Sequence, residues 1–330
     1  MHTRRETRRV FVSPGNLLTA YCSVKPDDQT PSLSVAVCLT AVMKSTVLIF
    51  APLCWLLCWM LPVGSKMISF TSRDTNKATT IPLNMAEDAV DDMYSGCIKK
   101  MTTKVKVKYF RKENKGLFKN VWKKAEQCAT DRFKQKNKED VALTKNHMQA
   151  ICVYTSEADK FYETFNGAVR TNGKNYGTSF QYHSLHFWLT TAIQNLRAKQ
   201  GCHITYRRSK AEFTGEVKQI IRFGSFTSTS LKSNLTSFGH ETCFKILTCT
   251  GAFLKNYSYY KDKEKEVLIP PYEKFKIIKT VKDKSVEELK DCKKVYILES
   301  TGVQSNLNCY AVKYKKDQSF FFNWWSKVRI

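Results

Sequence analysis

Two glutamates stand two residues apart in the segment Glu264–Glu266, immediately before the apolar run Val267–Ile269. Residues two apart in an extended chain point to the same side, so both carboxylates can face one cleft. One carboxylate placed there can stabilise positive charge that develops in a transition state. The other can bind a cation or accept a proton. Taken alone, the pair is also typical of an exposed charged turn.

An arginine and a cluster of hydroxyl residues precede these glutamates along the chain. Arg207 lies at the end of a short β-like run that begins at His203, and its planar guanidinium suits bidentate binding of an anion. The segment Phe223–Ser230 places a Ser-Thr-Ser run, starting at Ser228, behind a glycine. Each feature also has an ordinary interpretation, a surface ion pair for the arginine and strand hydroxyls for the serines.

Several common catalytic motifs are absent from the sequence. It contains no GxGxxG, P-loop, GxSxG or HExxH pattern, so the usual dinucleotide fold, nucleotide hydrolases, serine hydrolases and zinc proteases are unsupported. His183 and His186 lie three residues apart without a cysteine or carboxylate beside them. We therefore expect them to pack within a helix, and we expect no metal site.

The spacing of apolar residues predicts helices first and strands later. Helical periodicity runs from Tyr182 to Leu196, and Leu117, Phe118, Val121 and Trp122 suit one helix face. Short apolar or β-branched runs follow, separated by turn or charged residues; these are His203–Tyr206, Phe244–Thr250, Val267–Ile269, Phe275–Ile278 and Val295–Leu298. This order predicts one α+β unit, helical over about 81–200 and rich in mostly antiparallel strands over about 201–315.

The segment Val47–Leu61 is uncharged and mostly apolar, with Lys44 before it and small residues after it. It is shorter than the roughly 20 residues of a spanning helix, and this pattern is typical of a signal peptide. Because Met43 directly precedes Lys44, we predict an upstream extension over 1–42, a signal peptide over 43–65 and a catalytic domain over 66–330. An uncleaved membrane anchor is the alternative.

The cysteine count fits secretion. Of the twelve cysteines, four precede residue 64, and an even number follows, which favours disulfide bridges in an oxidising compartment; the later ones are Cys97, Cys128, Cys152, Cys202, Cys243, Cys249, Cys292 and Cys309. Asn234 and Asn256 stand in N-x-S/T sequons, which are glycosylation acceptors in secreted proteins.

The chain is strongly basic, with 54 Lys and Arg against 29 Asp and Glu and a formal charge of +25 over 330 residues. Such a balance favours anionic partners. Residues 99–124 carry eleven of the cations, and they form either a solvated basic face or a patch for an anionic surface. We expect no specific nucleic-acid partner. The 42% of hydrophobic residues excludes a wholly disordered, collagen-like or polytopic membrane chain.

Taken together and in this order, Arg207, the run from Ser228 and the segment Glu264–Glu266 resemble the R…STS…ExE site of one enzyme family. That family is the vertebrate ecto-type mono-ADP-ribosyltransferases specific for arginine. The resemblance covers about residues 81–312, and it also includes the segments Asp91–Cys97, Val121–Ala125, Phe165–Arg170, Leu185–Phe187, Thr248–Gly251 and Asn308–Cys309.

The resemblance implies NAD⁺ as a co-substrate and a role for each residue of the site. Nicotinamide leaves, and the ribose is trapped by an arginine of a protein acceptor or by a small guanidino compound. Arg207 is expected to contact the diphosphate, Ser228 to hold Glu266, and Glu266 to stabilise the oxocarbenium-like ribose. Glu264 is expected to bind the acceptor, since members with Gln at this position lose arginine specificity.

Other implications of the resemblance concern the edges of the site. Tyr154, Ser225 and Ser258 are expected to line the nucleotide cleft, and the turn Tyr259–Lys263 is expected to recognise the acceptor. Arg208 stands where the family often has glycine, so it either crowds the pocket or adds a phosphate contact. The resemblance also implies the bridges Cys97–Cys309 and Cys202–Cys249, and leaves four other cysteines unpaired: Cys128, Cys152, Cys243 and Cys292.

Two alternatives to a transferase remain at this stage. Water can replace arginine as the acceptor, which gives an NAD⁺ glycohydrolase, or the chain can be a non-catalytic basic binding protein on the same scaffold. Many members carry a removable apolar tail at the C-terminus. Here the aromatic run from Phe320 is short and is followed by Lys327 and Arg329, so we predict a secreted, extracellular protein, with membrane association as the alternative.

Overall fold

A computed structural model describes residues 80–282 and 284–313. The apolar segment Val47–Leu61, the start at Met43 and the aromatic run from Phe320 all lie outside these residues. Within the described ranges, no helix combines the length and apolarity that crossing a bilayer demands.

Helices form most of the described residues from 80 to 200. The helices are α1 Ile98–Lys104, α2 Phe110–Glu113, α3 Gly116–Lys124, α4 Glu126–Lys134, α5 Lys145–Thr155, α6 Phe161–Thr171, α7 His183–Arg197 and α8 Tyr310–Lys313. A π-helical turn, Val105–Tyr109, connects α1 directly to α2. The periodicity predicted over Tyr182–Leu196 is therefore confirmed as α7, displaced by one residue at each end.

The helix α7 is buried all round over its first three turns, from His183 to Ile193. Its free N-terminal amides are bound by the buried carboxylate of Glu113, which accepts from the backbone N–H of His183 at 3.1 Å and of Ser184 at 2.9 Å. His183 Nδ1 also lies 2.7 Å from this carboxylate, so it is part of the helix packing. In α3, Phe118, Val121 and Trp122 are buried, whereas Leu117 is exposed and does not belong to the predicted face.

The strands after residue 200 form one eight-stranded sheet in the order β4-β9-β10-β6-β2-β5-β8-β7. Only β10 and β6 are parallel within it, and a separate parallel pair, β1 with β3, joins the two halves of the chain. The strands are β1 Ile81–Pro82, β2 His203–Ser209, β3 Phe213–Thr214, β4 Ile220–Arg222, β5 Thr227–Ser230, β6 Thr242–Thr248, β7 Ala252–Phe253, β8 Glu266–Ile269, β9 Glu273–Val281 and β10 Lys294–Val303. The predicted α+β class is confirmed.

The strand β6 ends two residues before its apolar run does. Glu273 Oε1 accepts hydrogen bonds from the backbone N–H of Cys249 at 2.7 Å and of Thr250 at 3.0 Å. These amides would otherwise continue the ladder, so a buried carboxylate ends the strand.

The helical half packs directly against β5 and β8, towards the β7 edge of the sheet. Phe226, just before β5, stacks on Phe165 of α6 with ring centroids 5.6 Å apart, and Leu268 of β8 belongs to the same buried cluster. A second buried cluster on β4, β6, β9 and β10 includes Phe244, Phe275 and Tyr296. The helices therefore hold β5 and β8 in place from one side.

Four disulfides cross-link the described residues. The two implied by the resemblance, Cys97–Cys309 and Cys202–Cys249, are present. The other cysteines pair as Cys128–Cys152, which joins α4 to α5, and as Cys243–Cys292, which joins β6 to the turn before β10.

Candidate active site

Three neighbouring strands bring Arg207, Ser228 and Glu266 together. Arg207 lies on β2, Ser228 on β5 and Glu266 at the start of β8, and β5 runs between the other two. Ser230 pairs across the sheet with Glu266 on one side and with Tyr206 on the other. The order of the strands therefore places the arginine, the hydroxyl and the carboxylate in one row.

Glu266 is buried, with 5% of its surface exposed. The hydroxyl of Ser228 donates a hydrogen bond of 2.7 Å to its Oε1. Burial raises the pKa of Glu266 to about 7, the hydrogen bond from Ser228 opposes the rise, and the negative charge of Glu264 adds to it. The carboxyl thus titrates near neutral pH, where a small change in its surroundings changes its charge.

Arg207 is half-buried and is oriented by the backbone of β5. Its Nη1 donates to the carbonyl oxygen of Ser228 at 2.8 Å, and burial lowers its pKa from the usual range. A guanidinium has five N–H donors, and the remaining ones form no hydrogen bond within the described part of the chain. They are available to the oxygens of a diphosphate.

Arg208 points away from Arg207, as neighbouring residues on a strand do. It forms a bidentate pair with Asp291, with Nη1 and Nη2 at 2.6 and 2.9 Å from the carboxylate oxygens, and its Nε donates to the Ser233 carbonyl. The expectation that Arg208 crowds the pocket or contacts phosphate is therefore not met.

Tyr154 of α5 reaches the same region from the helical half. Its hydroxyl donates to the Phe226 carbonyl at 2.8 Å and accepts from Asn166 Nδ2 at 3.0 Å. Burial raises its pKa to about 12, which keeps the phenol neutral. Asn166 Oδ1 is buried and has no hydrogen-bond partner among the described residues.

Two residues of α6 were missed by the sequence reasoning. Asn166 was noted only as part of a resembling segment, and Tyr162 was not noted. Burial raises the pKa of the half-buried Tyr162, and the positive charge of Arg207 opposes the rise, so this phenol lies close to the guanidinium. Tyr162 and Asn166 are four residues apart on a helix and share one face; this spacing is the signal that could have found them.

Glu264 is half-buried in the loop before β8, and its backbone is fixed by β5. The hydroxyl of Ser230 donates to the Glu264 carbonyl oxygen. The chain between the glutamates is not extended as predicted, because Lys265 is left-handed with φ of 47° and β8 begins at Glu266. The negative charge of Glu264 nonetheless raises the pKa of Glu266, so the two carboxylates interact electrostatically.

The remaining expected cleft residues differ in position. Ser225 is half-buried beside β5, and its carbonyl oxygen accepts from Thr227 Oγ1 at 3.2 Å. Ser258 is 1% exposed, and its hydroxyl donates to the Lys261 carbonyl at 2.8 Å. The expectation that Ser258 lines the cleft is corrected, because its hydroxyl closes the acceptor loop from inside.

Residues of α4 and α5 hold the start of that loop, Tyr259–Lys263. Arg132 is buried, and its Nε and Nη2 donate to the carbonyl oxygens of Ser258 and Tyr259, both at 3.2 Å. The Tyr259 N–H donates to Thr155 Oγ1 at 2.7 Å. Tyr259 is 45% exposed, and its ring meets that of Tyr260 edge-on. The loop therefore presents aromatic rings from a fixed base.

In the part of the chain that the structure describes, no three His, Cys, Asp or Glu side chains group as a metal site would require. A mostly antiparallel sheet that aligns an arginine, a serine and a buried glutamate, with a second glutamate just before β8, defines an ADP-ribosyltransferase of the R-S-ExE class. The chain belongs to the NAD:arginine ADP-ribosyltransferase family, whose model matches residues 83–294.

Known relatives agree with this assignment. The chain is 34% identical over 276 residues to human ecto-ADP-ribosyltransferase 4, which covers 78% of this chain and 83% of the relative. It is 30% identical over 243 residues to the erythroblast NAD(P)(+)–arginine ADP-ribosyltransferase of Gallus gallus, covering 72% of this chain and 78% of the relative. A solved structure of a variant of the eukaryotic mono-ADP-ribosyltransferase ART2.2 in complex with NADH has a TM-score of 0.57 and 31% identity, covering 69% of this chain and 98% of that one.

Proposed function

We propose that this protein transfers ADP-ribose from NAD⁺ to the side chains of arginines in proteins, with release of nicotinamide. The observation that carries the proposal is the pair of glutamates, one buried and hydrogen-bonded to Ser228, the other half-buried in the loop before β8. One site thereby offers separate carboxylates for the donor and for the acceptor.

Arg207 and Asn166 provide the donor side of the proposed site. The free N–H groups of Arg207 suit the diphosphate, and the unpaired oxygen of Asn166 accepts a hydrogen bond from an amide or hydroxyl of the dinucleotide. Tyr154, Tyr162 and Ser225 stand around this pair. A buried acceptor without a hydrogen-bond partner costs about 1–3 kcal/mol of stability. A polar ligand that donates to Asn166 Oδ1 would remove this cost.

Glu266 supplies the electrostatic stabilisation. As a carboxylate it binds a ribose hydroxyl and offsets the positive charge that grows while the bond from ribose to nicotinamide breaks. The bonding electron pair leaves with the nicotinamide nitrogen. Ser228 fixes the carboxylate before the reaction, so no reorganisation is required at that moment.

Glu264 supplies the acceptor chemistry. Its carboxylate binds the incoming guanidinium and takes the proton that is lost when nitrogen bonds to the ribose carbon. The product is ADP-ribosylated arginine, and the proton passes to solvent. Burial and the negative charge of Glu157 raise the pKa of Glu264, which makes it a stronger base than an exposed glutamate.

The direct test is turnover of labelled NAD⁺ by the purified protein with and without agmatine, a small guanidino acceptor. Labelled agmatine supports the proposal. Release of free ADP-ribose alone favours an NAD⁺ glycohydrolase. A folded protein with no turnover on either acceptor favours a non-catalytic binding protein.

We also propose that the protein is secreted after removal of a signal peptide over 43–65, that 1–42 is an upstream extension, and that 66–330 is the mature domain. Four disulfides support an oxidising compartment, and both sequon asparagines, Asn234 and Asn256, are exposed. Relatives named ecto- and GPI-linked enzymes support an extracellular or membrane-associated place. N-terminal sequencing of protein secreted from a eukaryotic host tests this, and a chain that retains Met1 or Met43 contradicts it.

The basic segment 99–124 supports a contact with an anionic extracellular glycan. Ten of its eleven cations are exposed, and its one acidic residue, Glu113, is buried. Replacing Lys106, Lys112 and Lys119 by Gln should lower the salt needed for elution from an immobilised sulfated polysaccharide. The matched control replaces Lys276, Lys279 and Lys282, and equal elution of both variants contradicts the proposal.

A further inference from the structure

A groove lies beside the proposed acceptor loop and takes no part in the chemistry described above. It has a volume of about 380 Å³ and is lined by Lys124–Ala125 at the end of α3, by Ser156–Ala158 after α5, and by Tyr259–Tyr260 of the loop. Tyr260 is four residues before Glu264. Together with burial, the negative charge of Glu157 raises the pKa of Glu264, so the groove and the proposed acceptor carboxylate are within electrostatic reach of each other.

Contacts within the protein fix the walls of the groove. Arg132 and Thr155 hold the backbone at Tyr259, as described above. Directly after the lining residue Ala158, Asp159 and Lys160 are both left-handed, with φ of 54° and 49°. Such backbone is costly for residues other than glycine and persists where surrounding contacts hold it. The groove is therefore a built feature of this region.

The charge of the groove is opposite to that of the whole protein. Lys124 is bound to Asp159 at 2.9 Å, so its positive charge is matched. Glu157 is exposed and forms no ion pair with any residue that the structure describes. Burial raises the pKa of Tyr260, and the charges of Glu157 and Glu264 and a side-chain hydrogen bond with Glu157 raise it further, so both carboxylates act on this phenol. In a chain of charge +25 this is a local negative field.

We propose that this groove is a second acceptor subsite, which binds a lysine or arginine side chain close in sequence to the target arginine. Glu157 is the counterion, and the rings of Tyr259 and Tyr260 are the surfaces on which the cation packs. The preferred acceptors are then basic segments with two or more neighbouring cations. The inference rests on the proposed transferase activity and names its substrate class.

The test compares two acceptor peptides that differ in one residue. Both are alanine peptides with an acetylated N-terminus and an amidated C-terminus, and both contain a single arginine with a lysine two residues away. In the reference peptide the side chain of this lysine is acetylated and therefore uncharged. The ratio of kcat/KM for the cationic over the acetylated peptide should be about fivefold for the native protein. In Glu157→Gln the ratio should fall to about one.

Charge reversal and a distant control complete the experiment. Glu157→Lys should prefer a peptide with glutamate in place of the lysine. Glu216→Gln removes the same charge from an exposed turn next to β4, at the opposite edge of the sheet, and should keep the native ratio. A native ratio near one, or a ratio that Glu157→Gln leaves unchanged, overturns the subsite while transfer itself persists. Absence of transfer to every peptide and to agmatine instead overturns the proposed function on which the subsite rests.

Discussion

Ser228 and Glu266, which are 38 residues apart in sequence, are joined by a hydrogen bond of 2.7 Å from the serine hydroxyl to the carboxylate. The backbone carbonyl oxygen of the same serine accepts a hydrogen bond from Arg207. One residue thus orients both a cation and an anion of the site through contacts within the protein. The site is preorganised, which is the condition under which fixed charges accelerate a reaction most.

We expect Glu266→Gln to lose both transfer to agmatine and hydrolysis of NAD⁺, by about 10²–10³-fold or more. Both reactions need the same stabilisation of the ribose cation, and glutamine supplies no negative charge. The measurement is nicotinamide release with and without agmatine. Near-native release by a variant with a cooperative melting transition would show that Glu266 has another role.

The same substitution should change stability in a pH-dependent way. The pKa of Glu266 is about 7 in the folded protein against 4.5 for an unperturbed glutamate. Its stabilising contribution is therefore complete below about pH 4.5 and is lost as pH rises through 7. The glutamine side chain of Glu266→Gln does not titrate. The melting temperature of this variant should therefore exceed that of the native protein at pH 8 and approach it at pH 5. An equal difference at both pH values would contradict the raised pKa.

Ser228→Ala should move the pH profile of the reaction. Because catalysis needs the carboxylate form of Glu266, kcat/KM for NAD⁺ should rise with pH through about 7. The Ser228 hydrogen bond lowers this pKa, so its removal raises the pKa and moves the midpoint to higher pH. Ser237→Ala, at an exposed serine, is the control. A midpoint that stays or falls in Ser228→Ala would rule out this coupling.

Glu264→Gln should separate transfer from hydrolysis. Most transfer to agmatine should be lost, while NAD⁺ binding and a measurable part of hydrolysis remain, because Glu266 and Ser228 are untouched. The two activities are measured on one preparation. If Glu264 were an ordinary exposed charge, neither would change, since surface substitutions usually have small effects; if both fell together, its role would lie on the donor side.

Two disulfides offer a matched test of stability. Cys202–Cys249 and Cys243–Cys292 close segments of nearly equal length, with separations of 47 and 49 residues. Loop entropy then predicts that replacing either pair by serine lowers the free energy of unfolding by a similar amount, about 2–4 kcal/mol. Chemical denaturation measures both. A large inequality would mean that packing around one bridge, and not loop closure, dominates its effect.

The sequence was enough to predict which residues form the site, but only part of their spatial arrangement. Arg207, Ser228 and Glu266 are recognisable by type and order, whereas their adjacency depends on pairing β2 with β5 and β5 with β8, which local spacing does not encode. Because side chains alternate between the two faces of a strand, the sequence of β2 could have shown that Arg208 points away from Arg207. The left-handed Lys265 could not have been foreseen, since lysine rarely adopts this conformation.

The helical side of the site was harder to predict. Tyr162 and Asn166 approach Arg207 and Tyr154 only because α6 packs on β5 through Phe165 and Phe226. Buried aromatic contacts of this kind are compatible with many arrangements of helices, so the pattern of apolar residues predicts burial without naming the partner. Ser258 is the opposite case. It was expected to line the cleft, but its hydroxyl instead donates to the Lys261 carbonyl and stabilises the loop.

Arg132 anchors the acceptor loop through the carbonyl oxygens of Ser258 and Tyr259, and carbonyl oxygens are present whatever side chain occupies a position. The residues from 259 to 263 can therefore be exchanged while their attachment stays the same. In evolutionary terms, substitutions at the tip of this loop leave the strands that carry Arg207, Ser228 and Glu266 unaltered.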